Sequence, residues 1–592
     1  MPLASLRSAG TRLRIILAAV FIVMTSSAAA QSESRTARNV PLCPAGTVPQ
    51  YSGDVLTMRK ECRPVAGGGS PIPIPKQVVP RARIEFATTD QDVPEFFVGL
   101  SISGGGSRAA IFGMAVMRQL HELGILQHVS AISTTSGGGL PGAYYAINGP
   151  TIDWDNAQNL MATDFLTPWI KKNFSLGPLG RVLFTNEDRS DLMTNLLDDR
   201  LFKKATYGNL GTFKPGKAPI WLANATVSGY NRRFTFSETS FNGIHSDLAK
   251  YPIAQAVQAS AAFPAAFNTV TLFDFQASLP GAPVSANQPA NYTHIYDGGP
   301  TDNLGIEALL TLARSHSSAR PSPRYGEERI RLGQCLMIVV DAYPRGVPER
   351  YDLKEDLRGT AGRLIDLNVL DSTDAMLVQA RAALLAKIGL RDSGSFGRRN
   401  APKFLFFDSG PLVLGSSQPS RIGHSTLYPM GYPETDALEL AASVPIPEYQ
   451  YRCAAWHINL SGLTAIKHYA MARDRNPVPA QKSDAIDEQR TLIEYVVSQI
   501  DTNFKLTGPR KCKPAFLDQA LREAAFVLVK EDYESQSAAC RWLRGHGLAV
   551  GDSCGAYVAP TDARLPLSGR VVPVDVAPGG GMLTSAVQCK DS

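Results

Sequence analysis

The sequence lacks a long apolar run beyond its first thirty residues. The run within them covers residues 15–24, follows Arg7, Arg12 and Arg14, and precedes a stretch of serines and alanines. This order of charged, apolar and small residues is typical of a secretory signal peptide, which we predict over residues 1–30. An uncleaved membrane anchor is the alternative, although ten apolar residues span only about half of a bilayer. We therefore expect an exported protein, periplasmic or secreted, with a soluble mature part.

The sequence also lacks a strong excess of either charge. Its formal net charge is +6, and three of the positive charges belong to the predicted signal peptide. The remaining lysines and arginines are interspersed with acidic residues. Binding of nucleic acid depends on a clustered basic surface, so we predict no nucleic-acid partner.

Motifs for metals and nucleotides are missing or incomplete. The sequence contains neither H-E-x-x-H nor paired C-x-x-C. A G-x-x-x-x-G-K pattern ends at Lys217, but Ala218 replaces the Mg²⁺-binding hydroxyl and Pro219 leads into a predicted strand. We therefore expect no metal ion and no organic cofactor.

The eight cysteines are an even number in a chain that we expect to be exported, which favours disulfides. Cys43 with Cys62, and Cys540 with Cys554, are the local pairs that we predict. Free buried thiols are the alternative, and Cys335 fits it best because it opens an apolar run.

The composition changes along the chain in a way that indicates domains. Residues 31–80 form a cysteine-containing segment that ends in a glycine- and proline-rich linker. Over residues 81–475, short apolar runs alternate with amphipathic segments, which predicts a mostly parallel sheet covered by helices. Residues 476–592 contain two helical stretches and a cysteine-containing end, and we predict a C-terminal appendage. The apolar runs are residues 96–102, 128–134, 218–226, 335–342 and 403–409.

Residues 163–184 carry aromatic side chains, among them Phe165 and Trp169, between glycines, prolines and lysines. Such a segment could be a lid or a lipid-facing flap. The alternative interpretation is an irregular loop that packs on the sheet.

Ser136 lies between a β-branched run and three consecutive glycines, Gly137, Gly138 and Gly139. An acyl-transfer nucleophile needs a tight strand-to-helix turn with small neighbours, usually written G-x-S-x-G. Here Gly138 fills the last position, but Thr134 stands where the first glycine is expected. Ser136 is thus a candidate nucleophile, with a simple glycine-rich turn as the alternative.

A second glycine run, Gly104, Gly105 and Gly106, follows an apolar strand and precedes Ser107, Arg108 and an amphipathic helix. Backbone N–H groups in such a turn can point together at a developing oxyanion, and the helix dipole adds positive potential. A dinucleotide-binding turn is the alternative, but Ala109 occupies its third glycine position.

A third stretch ends a short predicted strand with Asp297, followed by Gly298 and Gly299. A carboxylate at a strand end is where a parallel-sheet enzyme keeps its base. Since Asp-Gly is a common turn dipeptide, a plain turn is the alternative.

With these three stretches in this order, the chain resembles the patatin-like phospholipases, a family of lipid acyl hydrolases that includes the catalytic region of cytosolic phospholipases. The resemblance covers roughly residues 95–310 and continues more weakly to about residue 470. It implies a three-layer α/β fold with a mostly parallel central sheet. It also implies Gly104, Gly105 and Gly106 as the oxyanion hole, Ser136 as nucleophile and Asp297 as its only partner.

Residues 256–267 also resemble a family segment that packs near the site. The chain departs from the family at Thr134 and at Ser103, where many members have Asp. We interpret Arg108 as a structural or phosphate-facing charge rather than a proton carrier.

A histidine could instead complete a triad with Ser136 and Asp297. His316, His424, His457 and His468 follow Asp297, in the chain order of the α/β-hydrolases. His294 precedes Asp297 by three residues on the same predicted strand, and we expect it to point elsewhere.

The resemblance favours an exported serine acyl hydrolase acting on phospholipids or other lipid esters, with the membrane surface as a peripheral partner. A short-chain esterase is the alternative within enzymes. A catalytically weak lipid-binding or envelope protein is the alternative from another class.

Overall fold

A computed structural model gives the architecture of the chain. The predicted signal peptide, most of the predicted linker, the G-x-x-x-x-G-K pattern, His424 and His468 lie outside the described residues. The structure describes residues 39–43, 47–52, 59–64, 72–73, 95–174, 189–210, 219–229, 232–264, 266–275, 292–317, 332–343, 377, 380–381, 383–385, 388, 403–408, 452–465, 480–508, 512–558, 567–568, 571–574, 582–585 and 588–589.

The strands follow the apolar runs of the sequence and extend the set at both ends of the chain. They are β1 Thr47–Ser52, β2 Arg59–Pro64, β3 Ile72–Pro73, β4 Glu95–Ile102, β5 Ala131–Thr135, β6 Ile220–Val227, β7 Arg232–Thr235, β8 Val270–Phe273, β9 Tyr292–Asp297, β10 Leu332–Asp341, β11 Lys403–Asp408, β12 Arg452–Asn459, β13 Leu567–Ser568, β14 Val571–Val574, β15 Met582–Ser585 and β16 Gln588–Cys589.

The α-helices lie mainly between these strands and after β12. They are α1 Gly106–Glu122, α2 Gly139–Asn148, α3 Trp154–Met161, α4 Leu166–Phe174, α5 Arg189–Leu197, α6 Glu238–Gly243, α7 Ile253–Ser260, α8 Gly299–Asp302, α9 Ile306–Ser317, α10 Ala480–Ser498, α11 Pro514–Phe526 and α12 Tyr533–Gly545.

Nine of the described strands form one sheet in the order β11-β12-β10-β4-β5-β6-β9-β8, with β7 also paired to β6. The five central strands, from β12 to β6, are parallel to one another. Each outer strand pairs antiparallel with its neighbour. This confirms the predicted α/β class with a mostly parallel sheet.

Side chains on both faces of the sheet are buried, which gives three layers. In β4, Val98 and Leu100 belong to the large core that contains α1 and α2. Phe97 faces the opposite side and joins a second core with Leu309 of α9. Because strand residues alternate between faces, a strand covered on both sides is apolar throughout.

The described C-terminal helices share a core with the sheet domain. Leu517 and Leu521 of α11 are fully buried in the same apolar cluster as Met114 and Met117 of α1. The three helices α10, α11 and α12 of the predicted appendage therefore pack on the sheet domain.

Both predicted local disulfides are present, Cys43–Cys62 and Cys540–Cys554. Cys335 is also disulfide-bonded, so the alternative of a free thiol there is wrong. An apolar neighbourhood does not distinguish a thiol from a disulfide, since both are commonly buried.

The described part of the predicted flap, residues 163–174, is mostly helical and begins α4 at Leu166. Phe165 and Trp169 are buried rather than exposed, because the Trp169 ring packs on Phe267 and its Nε1 donates to the Arg189 carbonyl at 2.8 Å. Ile170 is an apolar residue that α4 exposes.

None of the described helices has the length and apolar character needed to cross a bilayer.

Candidate active site

Ser136 follows β5 directly and has a backbone φ of 51°. This left-handed conformation is unusual for a residue with a side chain and is held by its surroundings. A short turn over Ser136–Gly138 then leads into α2. The Ser136 N–H donates to Ser260 Oγ at 2.9 Å, so the strained turn is tied to the end of α7. The strand, turn and helix predicted around the candidate nucleophile are therefore present.

Glycines let the serine turn touch the Gly104–Gly106 turn, which we call the glycine loop. A Cβ placed on Gly137 would lie 2.1 Å from the Gly106 carbonyl oxygen. One placed on Gly138 would lie 2.5 Å from the Ser103 carbonyl oxygen. Such distances are too short for any side chain, so the two turns approach this closely because both residues are glycine.

Thr134 fits the turn without the glycine expected at its position. Its Oγ1 accepts from Trp221 Nε1 at 3.0 Å and donates to the Leu222 carbonyl at 3.3 Å. Room for its methyl group comes from α2, where a Cβ on Gly142 would lie 2.5 Å from Thr134 Cγ2. A glycine on the facing helix thus leaves room for the side chain that stands where the motif expects a glycine.

The glycine loop opens α1, and its residues have different roles. Gly105, with a φ of 137°, is the N-cap of α1, and Gly106, with a φ of 56°, is its first residue. N–H groups at this end of a helix have no partner within the helix. The Gly104 N–H donates to the Asn303 carbonyl at 2.9 Å, and a Cβ on Gly104 would lie 3.3 Å from Ser136 Cβ. The N–H groups of Gly105 and Gly106 are therefore the candidate oxyanion donors, and Gly104 leaves space beside Ser136.

Asp297 comes beside Ser136 because of strand direction. β9 runs antiparallel to β6 and pairs Asp297 with Ala225, the residue after Asn224, which pairs with Thr135 at the end of β5. The two strands thus approach one point of β6 from opposite ends. The carboxylate sits at the end of an antiparallel strand of this mostly parallel sheet.

The Asp297 carboxylate is only 6% exposed. Its Oδ1 accepts from the Gly299 N–H at 2.7 Å, and the Ser136 side chain lies close enough to influence its pKa. Burial raises the pKa of Asp297 to about 6, although the bond from Gly299 and the nearby Ser136 side chain act in the opposite direction. A carboxylate with this pKa is a stronger base than one in water and is still ionised near neutral pH.

Leu377 lies beside the turn that follows Asp297. A Cβ added to Gly299 would lie 2.8 Å from Leu377 Cδ2 and 3.1 Å from Asp297 Oδ1. Arg381, four residues later in the sequence, pairs with the buried Asp341 at 3.0 Å between Nε and Oδ2. We expect Leu377 to limit the access of water to Asp297 from this side.

Arg108 has a structural role in the described contacts. Its guanidinium is buried and donates to the Ala342 carbonyl at 2.9 Å and to the Ile500 carbonyl at 2.6 Å. Ser103, the other departure from the family pattern, accepts from the Ala342 N–H at 2.8 Å. Both side chains fix the glycine loop to the end of β10.

His457 and His294 both have partners away from Ser136. His457 Nε2 lies 2.9 Å from Asp341 Oδ2, and the Arg381 and His457 side chains hold the pKa of Asp341 well below its usual range although burial opposes this. His294 Nδ1 lies 2.9 Å from Thr271 Oγ1 on β8, so it points elsewhere as expected.

Three residues that hold the site carry no motif of their own. Ser260 accepts from Ser136 through its hydroxyl, and its carbonyl accepts from the Gly298 N–H at 3.0 Å. Asn224 accepts from the Ser260 hydroxyl at 2.6 Å, and Asn303 holds Gly104. Ser260 lies in the segment 256–267, which the resemblance placed near the site. This resemblance is the sequence feature that could have indicated Ser260.

No cluster of three or more His, Cys, Asp or Glu side chains within the described residues has a metal-binding arrangement.

The geometry can be compared with known proteins. Residues 100–310 match the family model described as patatin-like phospholipase. This segment is a patatin-like phospholipase domain. It contains the glycine loop, Ser136 and Asp297, as the sequence resemblance implied.

Similar solved structures include human GIVD cytosolic phospholipase A2, at 12% identity over 79% of this chain and 63% of that one, with a TM-score of 0.37. The same human protein in complex with methyl gamma-linolenyl fluorophosphonate is 13% identical over 85% of this chain and 76% of that one, with a TM-score of 0.35. VipD from Legionella pneumophila is 12% identical over 88% of this chain and 94% of that one, with a TM-score of 0.22. The chain spans 63% of the first of these structures. No curated protein matches the sequence.

The Thr134–Gly142 contact predicts a coupled pair of substitutions. We expect Gly142→Ala to lower the free energy of unfolding by about 1–3 kcal/mol, the usual cost of overpacking. Thr134→Ser removes Cγ2 and keeps the hydroxyl, so it should recover part of this loss in the double variant. Urea denaturation of the two single variants and the double variant measures the coupling.

Gly139→Ala is the matched control, because a Cβ there would meet Val257 at 3.5 Å, an ordinary contact. Equal losses in Gly139→Ala and Gly142→Ala, or purely additive effects, would contradict the account.

The raised pKa of Asp297 predicts how stability changes with pH. Because its pKa of about 6 lies above the ordinary value of 3.8, the folded state binds the proton more tightly than the unfolded state does. The free energy of unfolding contributed by this carboxyl is thus largest below about pH 4 and falls as the pH rises through 6.

Asp297→Asn removes this fall and keeps an oxygen that can accept from Gly299. Relative to wild type, we expect the variant to gain on the order of 2 kcal/mol between pH 4.5 and 7.5. Denaturant titrations across that range measure the gain. A constant difference between the two proteins would show that the carboxylate is not desolvated.

Proposed function

We propose that the protein is an exported serine acyl hydrolase that cleaves carboxylic ester bonds of phospholipids or other lipids through a Ser136–Asp297 dyad. The observation that carries the proposal is the placement of Ser136, on its strained turn after β5, next to the buried carboxylate of Asp297 at the end of β9. Burial raises the pKa of this carboxylate to about 6. The adjacent N–H groups of Gly105 and Gly106 support it. The patatin-like phospholipase match supports a lipid ester as substrate.

In the first half of the proposed reaction, Ser136 Oγ attacks the ester carbonyl carbon while Asp297 accepts the hydroxyl proton. The carbonyl electrons move onto oxygen, which accepts hydrogen bonds from the N–H groups of Gly105 and Gly106. Donors of this kind each stabilise the transition state by about 3 kcal/mol. Collapse breaks the ester bond, and the departing alkoxide takes the proton from Asp297.

In the second half, water attacks the acyl-enzyme ester while Asp297 again accepts a proton. The same N–H groups hold the second oxyanion. Collapse releases the carboxylic acid and returns the proton to Ser136 Oγ. One carboxylate therefore acts as base and then acid in each half, which a pKa near neutrality favours.

The described part of α4 supports contact with a membrane surface. It exposes Ile170 next to Lys171 and Lys172, both on the outside of the helix. An apolar side chain flanked by lysines suits the boundary between acyl chains and anionic headgroups. We propose a peripheral membrane contact here.

The disulfides Cys43–Cys62 and Cys540–Cys554 support the proposed export, because such bonds persist mainly in oxidising compartments.

Covalent labelling of the serine tests the proposal most simply. The mature protein is treated with a fluorophosphonate probe as wild type, Ser136→Ala and Asp297→Asn, and phospholipid hydrolysis is then followed with and without a chelator. We expect one label per chain in wild type, none in Ser136→Ala, and kcat lowered by about 10⁴-fold or more in both variants. Hydrolysis by wild type should not depend on the chelator.

Two matched controls carry the same chemical change elsewhere. Ser101→Ala alters a fully buried serine of β4, and Asp302→Asn alters another buried carboxylate whose pKa burial raises to about 6. Both should keep the label and the activity. Label retained in Ser136→Ala would reject the mechanism. An unlabelled, folded wild type would favour the lipid-binding alternative, and hydrolysis of short soluble esters alone would favour the esterase.

A further inference from the structure

Residues 500–507 of the C-terminal region form a loop behind the glycine loop. The Ile500 carbonyl accepts from Arg108 Nη1 at 2.6 Å. The Asn503 carbonyl accepts from both the N–H and the hydroxyl of Ser107, at 2.8 and 2.5 Å. Two residues next to the predicted oxyanion donors are therefore held by main-chain oxygens from the far end of the sequence.

The same loop presses directly on Gly106. A Cβ on this glycine would lie 2.4 Å from the Thr502 carbonyl oxygen and 2.5 Å from that of Asn503. Gly106 thus has the Thr502–Asn503 peptide against one side and Gly137, next to the nucleophile, against the other. Any shift of that peptide would turn the Gly106 N–H relative to Ser136.

The loop holds its own shape through Thr507 and Asn503. The Thr507 hydroxyl donates to Asp501 Oδ2 at 2.8 Å and accepts from Asn503 Nδ2 at 3.3 Å. Asn503 Oδ1 accepts from the Lys505 N–H at 2.8 Å. These bonds link residues 501, 503, 505 and 507 and hold the Asn503 side chain, and none of them involves the glycine loop.

On its other side the loop holds the start of α4. The Phe504 carbonyl accepts from the N–H groups of Phe165 and Leu166 at 3.0 and 3.2 Å. Lys505 Nζ lies 3.3 Å from Asp164 Oδ2. The loop is therefore braced between α4 and the glycine loop, which keeps its carbonyls in place.

We propose that the loop 500–507 is the positioning element of the oxyanion hole, and that Thr507 acts through it to aim the N–H groups of Gly105 and Gly106. The C-terminal region thereby contributes to the reaction and does more than complete the fold. This inference rests on the proposed function, since it names what positions the same oxyanion hole.

Positioning matters because an oxyanion donor acts over a narrow range of distance and angle. Its contribution depends on an N–H group about 2.7–3.1 Å from the developing charge. Displacement of the donors weakens transition-state binding more than binding of the neutral ester, so kcat falls while KM changes little.

The test compares Thr507→Val, which removes the hydroxyl at nearly constant volume, with Thr507→Ser, which keeps it. Hydrolysis of a soluble p-nitrophenyl ester is measured per fluorophosphonate-labelled site. We expect kcat to fall by about tenfold in Thr507→Val with KM within about twofold of wild type, and to recover in Thr507→Ser. An unchanged kcat per labelled site in Thr507→Val, even with a lower melting temperature, would overturn the proposal.

Hydrogen exchange at the Ser107 amide, measured by mass spectrometry or NMR, provides a second readout that needs no catalysis. We expect faster exchange in Thr507→Val than in Thr507→Ser, because the Asn503 carbonyl loses its fixed direction. If wild type proves inactive, this measurement still decides the positioning claim, while the labelling experiment decides the function. Equal exchange in both variants would overturn the inference.

Discussion

The proposed chemistry depends on the removal of the Asp297 carboxylate from water beside the Ser136 side chain. Asp297 is 6% exposed, and burial raises its pKa to about 6. An exposed carboxylate would be a weak base, with a pKa near 4. Leu377 lies beside the turn after the carboxylate, and we expect it to limit the access of water there. Burial of the charge therefore lowers the stability of the fold and at the same time makes Asp297 a stronger base for the Ser136 hydroxyl.

Main-chain contacts between distant segments hold the rest of the site. The serine turn, the glycine loop and the end of β9 meet where β5 and β9 approach one point of β6 from opposite ends. Gly137 and Gly106 permit an approach that no side chain would allow. Asn303 then fixes Gly104, and Ser260 fixes Ser136. Because these contacts use backbone atoms, small shifts of one segment are transmitted to the others.

The sequence predicted the features that depend on neighbouring residues along the chain. A β-branched run before Ser136, glycines before α1 and a carboxylate before two glycines each occupy a few consecutive residues, so their patterns predicted the turns. The contacts that position them were not predictable, since Ser136 and Ser260 are 124 residues apart and Ser107 and Asn503 are 396 apart. The direction of β9 was not predictable for a similar reason, because a short strand pattern does not show whether the strand pairs parallel or antiparallel.

The pH dependence of acylation tests the central claim most directly. The rate of fluorophosphonate labelling of wild type is measured from pH 4 to pH 8, beside that of Leu377→Ala. The account predicts that labelling rises with pH through a midpoint near 6, the pKa of Asp297, and that the midpoint of Leu377→Ala lies lower because water reaches the carboxylate. A midpoint near 4 in wild type, or the same midpoint in both proteins, would contradict the account.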